Sequence, residues 1–168
     1  MVFSVRPIQT EDAAQINAIR RMPGVFENML ALPSEREKRT EDFISNLGPD
    51  NHEFVVVTET PQGEKVIGMA GLTVNANPRL RHSGSVGIMV SMDYQNQGVG
   101  TLLMKTLLDL ADNWLLLVRV ELGVFTENEG AIRLYKRMGF EEEGIRRKAA
   151  IRNGTYADEM IMARIRNV

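Results

Sequence analysis

The sequence predicts one domain of the mixed α/β class. Strand-like and helical hydrophobic patterns alternate along its 168 residues, a length that suits a single domain with a substantial core. Two pairs of strand-like runs are each joined by a tight-turn signal, which indicates hairpins, whereas other strands are connected through helices. A sheet that uses both kinds of connection should be mixed, and not a repeated parallel β-α-β array.

The N-terminal part of the chain predicts a strand followed by two helices. Residues 3–8 form the first strand candidate, and residues 10–21 form a helix with acidic side chains in its first turn. A loop bounded by prolines follows at residues 22–33. The capping-box pattern at residues 34–37 then opens a second helix, which Gly48 and the proline after it should stop.

The central part predicts a hairpin, a strand and a helix. Strand candidates at residues 54–58 and 66–74 are separated by a Pro-Gln-Gly turn signal. After a polar and basic connection, residues 85–90 form the next strand. Residues 98–112 carry apolar side chains at three- and four-residue spacing, so they predict an amphipathic helix.

The C-terminal part adds one helix between strands and ends in a hairpin. Residues 118–125 form a strand, and the capping-box pattern at residues 126–129 opens a helix that Gly139 should end. The last two strand candidates, residues 145–152 and 156–165, are joined by an Asn-Gly pair, a strong hairpin signal. The complete predicted order is β-α-α-β-β-β-α-β-α-β-β.

Composition argues against several kinds of site. The net charge is −2 at pH 7, so the overall charge does not favour nucleic acid or an anionic membrane as a partner. The absence of cysteine excludes disulfides, zinc-thiolate sites and a cysteine nucleophile, and two histidines are too few for a typical histidine metal site. No apolar run is long enough for a signal peptide or a membrane span, so we expect a soluble cytoplasmic protein without a metal.

The stretch between the strand at residues 85–90 and the helix at residues 98–112 predicts an anion-binding site. Gly98 and Gly100 would let a phosphate approach a helix N-terminus, where free N–H groups and the helix dipole favour negative charge. A Walker A loop is excluded because no lysine follows Gly100, and the dinucleotide fingerprint fails because Leu103 occupies its third small position. The alternative is that both glycines only ease a tight turn.

Two motifs carry a resemblance to a known family. The first, Gln/Arg-x-x-Gly-x-Gly/Ala, is matched by Gln95, Gly98 and Gly100. The second, Asn-x-x-Ala-x-x-x-Tyr-x-x-x-Gly-Phe, is matched by Asn128, Ala131, Tyr135, Gly139 and Phe140. With both motifs in this order, the sequence resembles the GNAT superfamily of acetyl-CoA-dependent N-acetyltransferases.

The resemblance implies a single GNAT-type domain over residues 1–168. Its sheet would be mixed and mostly antiparallel, with about seven strands, four flanking helices and two splayed parallel central strands. Segments such as "PRLRH" and "AIRNGTYADEMIMAR" resemble bacterial GNAT enzymes that acetylate the α-amino group of free L-amino acids. They overlap with GNAT enzymes that act on phosphinothricin-like compounds, polyamines and ribosomal-protein N-termini. A small-molecule amine acceptor and a homodimer are expected on the same ground.

The resemblance also implies a set of cofactor-binding residues. In the family, N–H groups of the glycine loop hold the CoA pyrophosphate, and the preceding strand pairs with the pantetheine arm. Carried over to this chain, the loop and the strand contribute Gln95, Asn96, Gln97, Gly98, Val99, Gly100, Thr101, Ile88, Met89 and Val90. The N–H of Met89 or Val90 is the expected oxyanion donor. Asn128 either caps its helix or bonds the CoA arm.

Tyr135 is the family's general acid, which would protonate the departing CoA thiolate. It could contact the CoA arm as well. The alternative is a core tyrosine whose hydroxyl is satisfied by a neighbour. Without a cysteine, the expected route is direct attack by the amine in a ternary complex. A non-catalytic acetyl-CoA sensor is the alternative from another functional class.

The general base stays open at this point. Other family members carry a glutamate at the position of Gly123, and this sequence departs from that pattern. Glu121, two residues away on the same strand face, is the first candidate, and its alternative role is an ion pair with Arg119 or Arg133. His82 is the second candidate, although a lone histidine in a basic loop is more often a surface residue.

The acceptor pocket is expected along the loop at residues 22–33 and the last hairpin. The residues assigned to it are Phe26, Met29, Leu30, Arg81 and Tyr156, with Arg79 and Arg152 as further arginines that could hold an α-carboxylate. The alternative is that the apolar side chains pack on the core and the arginines are solvated. A polyamine would need an acidic pocket, for which the local suggestions are Glu27, Glu35, Asp158 and Glu159.

Overall fold

The structure, a computed structural model, describes all residues from Met1 to Val168 and contains one seven-stranded sheet and four α-helices. The strands are β1 (Ser4–Pro7), β2 (Asn51–Thr60), β3 (Gly63–Val74), β4 (Ser83–Val90), β5 (Arg119–Phe125), β6 (Glu141–Arg152) and β7 (Thr155–Ile165). The helices are α1 (Ala13–Arg20), α2 (Glu37–Ser45), α3 (Val99–Asp109) and α4 (Glu129–Arg137). The predicted element order and the mixed α/β class are confirmed.

The strand order in the sheet is β1-β2-β3-β4-β5-β7-β6. The pairs β1–β2, β5–β7 and β6–β7 are antiparallel, whereas β4 and β5 are parallel, as predicted. The parallel ladder begins at the pair Ser83 and Arg119 and ends at the pair Ser85 and Glu121, although both strands continue beyond it. This early end of the ladder agrees with two central strands that separate.

The chain forms two compact units. The first combines Met1–Gly71 with Ile88–Met104, and the second combines Leu72–Gly87 with Lys105–Val168. The first unit therefore holds α1, α2, β1 and β2 with the start of α3. The second holds β5, α4 and the last hairpin, and both β3 and β4 contribute one end to each unit.

In the first unit, α1 packs on the sheet through an apolar stripe. Ile16 and Ile19, three residues apart on one helix face, form a buried cluster with Val55 and Val57 of β2 and with Met89 of β4. Partly buried side chains packed against this cluster are Ile8, Met22, Met29, Ile44 and Met69. Two methionines of the loop at residues 22–33 therefore anchor that loop to the core.

In the second unit, the turn after α3 is tied to the last strand. α3 ends at Asp109 and is followed by a π-helical turn, Leu110–Trp114, where the sequence pattern predicts continued α-helix. Within this turn, Asp112 accepts hydrogen bonds from both terminal nitrogens of Arg164 on β7, at 2.8 and 2.7 Å. The buried Ala111 in the same turn packs into the core of the unit.

The hairpin predicted from the Asn-Gly pair is confirmed. Asn153 and Gly154 both have positive φ angles, 50° and 77°, as a two-residue turn of type I′ requires. β6 begins at Glu141, four residues earlier than the predicted start, and the β6–β7 ladder contains register shifts. β2 is also longer than predicted and begins at Asn51 instead of residue 54. Side chains at both extended strand starts were therefore outside the predicted strands.

Both predicted capping boxes are wrong. α2 has Arg36 as its N-cap residue without a side-chain hydrogen bond, and the carboxylate of Glu35 binds Arg20 at 2.8 Å. The N-cap of α4 is Asn128, whose side chain accepts from the Ala131 N–H at 3.4 Å, so the capping alternative for Asn128 is confirmed. In the first case the helix begins two residues later than the pattern predicted, so Ser34 lies outside the cap position.

We expect the free energy of unfolding to fall in acid because arginines hold buried carboxylates ionised. Burial opposes the ionisation of Asp12, but hydrogen bonds from Arg6 at 2.8 and 2.9 Å and from the Gln9 N–H outweigh it, so its pKa is lowered. The hydrogen bond from Arg20 lowers the pKa of Glu35 despite burial. Stabilisation by such groups is present above their unfolded pKa and is lost as the pH falls through the folded pKa.

Urea denaturation measured at successive pH values checks this expectation. The stabilisation that these two carboxylates contribute should be nearly level from pH 7 down to their ordinary pKa values, 4.5 for Glu35 and 3.8 for Asp12, and should decline below them. Asp12→Asn should lose stability at pH 7 and show a shallower decline in acid. An unchanged acid slope in that variant would contradict the role given to the Arg6–Asp12 pair.

Candidate functional site

The turn between β4 and α3 is open and has an unusual backbone. Asn96 and Gly98 have positive φ angles of 58° and 87°. A Cβ atom at Gly98 would meet nothing within 4 Å, so the backbone conformation, and not crowding, favours glycine there. The side chain of Gln95 donates to the Val90 carbonyl at 3.3 Å and ties the turn back to the end of β4. The space beside Gly98 is therefore free for a ligand.

The first turn of α3 supplies backbone donors to this open space. Leu102 N–H donates to the Gly98 carbonyl at 3.0 Å, which is the bond that closes the first helical turn. The N–H groups of Val99, Gly100 and Thr101 precede this bond and have no intrahelical acceptor. The positive end of the helix dipole lies at the same place. Together these features suit a phosphate group.

A glycine on β3 lets α3 lie directly against the sheet. A Cβ atom at Gly68 would lie 3.0 Å from the Met89 carbonyl oxygen, 3.2 Å from the Val99 side chain and 3.3 Å from Leu103. Val99, Leu103 and Met89 are all buried. The donors at the start of α3 are therefore held firmly beside the strand that was predicted to align the pantetheine arm.

Tyr135 lies on α4 with its ring buried against Phe140, and the two ring centroids are 5.9 Å apart. Its hydroxyl has no hydrogen-bond partner in the chain. The hydroxyl oxygen is not fully buried, so it can be reached from solvent. Burial raises the pKa of Tyr135 to about 12, so the side chain stays protonated at neutral pH. The alternative of a core tyrosine with a satisfied hydroxyl does not match this geometry.

Glu121 forms the ion pair that was its alternative role. Its carboxylate accepts a hydrogen bond from Arg119 Nε at 2.9 Å, and the same arginine binds the carboxylate of Glu143. Arg133 is instead near Glu129, on its own helix.

His82 is exposed, just before β4. Its backbone carbonyl accepts from the N–H groups of Val118 and Arg119 at 2.9 and 3.2 Å, which fixes the start of the parallel strand pair. The observed contacts of this residue therefore involve its main chain, and its catalytic role stays a prediction.

Gly123 on β5 is covered by a carboxylate from β7. A Cβ atom at Gly123 would lie 2.7 Å from Glu159 Oε2, so any side chain there would have to displace that carboxylate. Glu159 is opposite Phe125 in the ladder and also accepts from Arg146 at 3.3 Å. Sequence reasoning did not propose Glu159 as a catalytic group, because its position over Gly123 follows only from the β5–β7 register.

The loop at residues 22–33 presents some of its apolar side chains to solvent. Leu30 is 68% exposed and has a positive φ angle of 53°. Met29 packs against the buried cluster of the first unit, and Phe26 is half-buried in a short 3-10 turn, Phe26–Asn28. The alternative that these residues pack on the core therefore holds for Met29 and not for Leu30.

The polar residues expected near the acceptor are on the surface of the second unit. Arg81 is exposed and donates to the Asn75 carbonyl at 3.5 Å. Tyr156 is 62% exposed, with the ammonium group of Lys148 5.9 Å from its ring centroid. Arg152 forms an ion pair with Glu127 at 2.7 Å.

The two units divide the predicted site residues between them. The first unit holds the glycine loop predicted to bind acetyl-CoA, the end of β4 and the expected apolar acceptor residues, namely 95–101, 88–90, Phe26, Met29 and Leu30. The second unit holds Tyr135, Glu121, His82, Asn128, Arg81 and Tyr156. No cluster of three or more metal-ligating side chains is present, and none of the helices is long and apolar enough to cross a membrane.

Comparison with protein families gives one match that covers most of the chain. The model described as acetyltransferase (GNAT) family matches residues 20–140. An L-amino acid N-acetyltransferase of Escherichia coli K12 is 35% identical over 162 residues, which cover 96% of this chain and 97% of that protein. A spermidine N(1)-acetyltransferase of the same organism is 29% identical over 94% of this chain and 83% of that protein.

Solved structures of other acetyltransferases share the fold of this chain. The Vibrio cholerae spermidine N-acetyltransferase in complex with CoA and spermine has a TM-score of 0.83 and 25% identity, covering 97% of this chain and 95% of that one. A GNAT-family acetyltransferase from Streptococcus pneumoniae also has a TM-score of 0.83, at 23% identity, and covers 99% of this chain and 100% of that one. The second likeness supports the fold alone.

Proposed function

Because the chain belongs to the acetyltransferase (GNAT) family, we propose that it transfers the acetyl group of acetyl-CoA to the α-amino group of a free L-amino acid. Family membership makes it an acetyl-CoA-dependent N-acetyltransferase, and the amino-acid acceptor is the finer part of the proposal. We further propose one acetyltransferase domain over residues 1–168, working in the cytoplasm as a homodimer. Similarity over nearly the full length of an L-amino acid N-acetyltransferase supports this choice of acceptor.

One observation carries the acetyl-CoA part of the proposal. The open turn at Gly98 leads directly into the free N–H groups at the start of α3, which suits the CoA pyrophosphate. Gly68 holds this helix end close to Met89, so the pyrophosphate donors and the proposed oxyanion donor belong to one rigid part of the first unit. Asn128 caps α4, which supports a structural role for it.

A polyamine is the second candidate acceptor because spermidine N-acetyltransferases are among the relatives. A polyamine carries several positive charges and is best held by free carboxylates. The acidic residues suggested for that role already have partners: Glu35 binds Arg20, Glu159 binds Arg146, Glu27 accepts from the Gly24 N–H, and Asp158 accepts from the Lys148 N–H. These four carboxylates are therefore not free to hold a polyamine.

In the proposed reaction, the acceptor nitrogen attacks the thioester carbonyl carbon directly. The N–H of Met89 or Val90 stabilises the negative charge that develops on the carbonyl oxygen. The carbon–sulfur bond then breaks, and Tyr135 donates a hydrogen bond to the departing thiolate. The acceptor must lose a proton to a base, for which Glu121 and His82 are the proposals from sequence.

Two-substrate kinetics test the proposal. Purified protein is incubated with acetyl-CoA and each of the L-amino acids, spermidine and short peptides in turn, and CoA release is recorded. We expect turnover with one or more free amino acids and intersecting initial-velocity lines, since both substrates must be bound together. Parallel lines would contradict direct attack. Acetyl-CoA binding without turnover on any amine would instead support the sensor alternative.

A further inference from the structure

Glu53 is a half-buried carboxylic acid whose side chain has no partner in the chain. It lies near the start of β2 and rests over Gly71 of β3, in the same unit. A Cβ atom at Gly71 would overlap both oxygens of this carboxylate, so a glycine there leaves the space that the carboxylate fills. Its side chain takes part in no hydrogen bond and no ion pair, although its backbone carbonyl accepts from the Ile8 N–H at 3.0 Å.

The two buried carboxylates of the first unit each have an arginine partner, unlike Glu53. Asp12 is held by Arg6 through both oxygens, and Glu35 is held in the same way by Arg20. Proteins rarely bury a carboxylate without such a partner, because the loss of hydration is costly. Glu53 has no such partner, and its oxygens are not among the fully buried polar atoms that lack one, so they are open to solvent. Such a carboxylate can take a ligand as its partner, and the chemistry it suits is a cation.

Glu53 shares a strand face with residues that pack against the strand proposed to hold the thioester. Val55, two residues along β2, lies on the same strand face as Glu53 and belongs to the buried cluster that contains Met89. Met29 of the proposed acceptor loop packs against the same cluster. The carboxyl group therefore lies next to an apolar region that includes both the strand proposed to hold the thioester and the loop proposed to hold the acceptor.

No charged group of the chain competes for this position. On the flanking β1, Arg6 binds Asp12 and Glu64, and Arg20 of α1 binds Glu35. Lys65 of β3 lies over the ring of Tyr94, and α2 contributes the apolar Ile44 to the cluster. Burial alone raises the pKa of Glu53 from 4.5 to about 7, without a contribution from any cation.

We propose that the carboxylate of Glu53 binds the ammonium group of the acceptor and takes its proton before the attack on the thioester. The inference rests on the proposed function and deepens it. One proton passes from the acceptor nitrogen to a carboxylate oxygen, and the freed lone pair forms the new bond to the acetyl carbon. The carbon–sulfur bond breaks with its electron pair leaving on the thiolate, and the nitrogen loses its second proton to solvent as the amide forms. Glu53 returns its proton to solvent after the product leaves.

The carboxyl group of Glu53 is suited to act as the base for an amine acceptor. An amine acceptor is mostly protonated at neutral pH, and a base works best when its own pKa is near the working pH. Glu121 and Glu159 each already bind an arginine, whereas the carboxylate of Glu53 has no partner in the chain. Glu53 therefore offers the counter-charge that an ammonium group needs in an apolar site.

The test compares Glu53→Gln with Glu59→Gln, an identical change at an exposed position of the same strand. For the wild-type protein, kcat/KM should fall on the acid side with an apparent pKa near 7. In Glu53→Gln, kcat/KM at pH 7 should drop by about 100-fold or more. The acid limb of the pH profile of kcat/KM should move to the pKa of the acceptor amine, because only the neutral amine can then react. Glu59→Gln should match the wild-type protein in both respects.

A stability measurement separates this role from a structural one. A glutamate whose folded pKa is raised opposes folding once it ionises, so its cost is largest above pH 7 and disappears towards acid. Glu53→Gln should therefore melt at a higher temperature than the wild-type protein at pH 8, and the difference should shrink towards pH 5. Affinity for acetyl-CoA by calorimetry should be unchanged. Gly71→Ala should lower kcat/KM by displacing the carboxylate while keeping the acid limb near 7.

The inference can fail independently of the proposed function. Wild-type turnover with unchanged rate and acid limb in Glu53→Gln would overturn the role of Glu53 and leave the acetyltransferase intact. If the wild-type protein turns over no amine, the carboxyl ¹³C signal of Glu53 is titrated with and without ethylamine. A pKa near 7 that falls when ethylammonium is added supports the ammonium site. An ordinary pKa, or one that ethylammonium does not change, overturns it.

Discussion

Tyr135→Phe is expected to lower kcat for acetyl transfer by about 10²- to 10⁴-fold, the range typical of a lost general acid. The hydroxyl is the only group removed, and it has no hydrogen-bond partner in the chain. The phenyl ring can keep its contact with Phe140, so the free energy of unfolding and the affinity for acetyl-CoA should change little. A loss of rate would therefore report on chemistry.

The pKa of Tyr135 defines what kind of acid it can be. Burial raises it to about 12, whereas the thiol of CoA should resemble that of cysteine, at about 8.5. Complete proton transfer from the tyrosine to the thiolate is therefore uphill, and we expect a hydrogen bond that strengthens as the negative charge develops on sulfur. The wild-type enzyme should show no alkaline limb from this group below pH 10.

Stopped assays of CoA release and calorimetry of acetyl-CoA binding check the Tyr135 prediction together. Urea denaturation of the same preparations serves as the control for folding. A variant that keeps at least a third of the wild-type kcat would remove Tyr135 from the catalytic mechanism. A variant that binds acetyl-CoA much more weakly would indicate that the hydroxyl contacts the cofactor in the ground state.

Phe140→Ala should have the largest effect on stability, a loss of about 3–5 kcal/mol in the free energy of unfolding. Phe140 is 2% exposed, and its backbone N–H donates to the Tyr135 carbonyl at 3.0 Å just after α4 ends. Removing the ring leaves a cavity next to the Tyr135 ring. The tyrosine then loses the neighbour that orients it, so kcat should fall as well.

Phe140→Leu is the matched control because it keeps most of the buried volume. It should cost less stability than the alanine variant and should retain more of the kcat. Equilibrium urea unfolding and CoA release give both quantities from one preparation. If Phe140→Ala lost stability without any change in kcat, the packing of the ring would have no part in orienting Tyr135.

The features that the sequence predicted correctly are local ones. The Asn153-Gly154 pair fixes a hairpin because only two adjacent residues with positive φ angles are needed. Gly98 is similar, since its conformation depends on the turn between one strand and one helix. The element order follows from hydrophobic spacing within each segment, and it is confirmed for all eleven strands and helices.

The features that the sequence did not predict depend on partners far along the chain. The buried ion pair of Glu35 joins it to Arg20, fifteen residues earlier in the chain. Glu159 becomes relevant only when the register puts it over Gly123. Glu53 lay just outside the predicted strand, and its burial depends on the sheet and on Gly71. Glu159 and Glu53 both lie outside the two motifs that carry the family resemblance.

One competition experiment identifies the acceptor of the enzyme. The protein is supplied with acetyl-CoA and an equimolar mixture of the L-amino acids, spermidine and a short peptide, and the acetylated products are identified by mass spectrometry. Our account predicts N-acetyl amino acids as the main products, in amounts equal to the CoA released. Acetylated spermidine or peptide as the main product would contradict it.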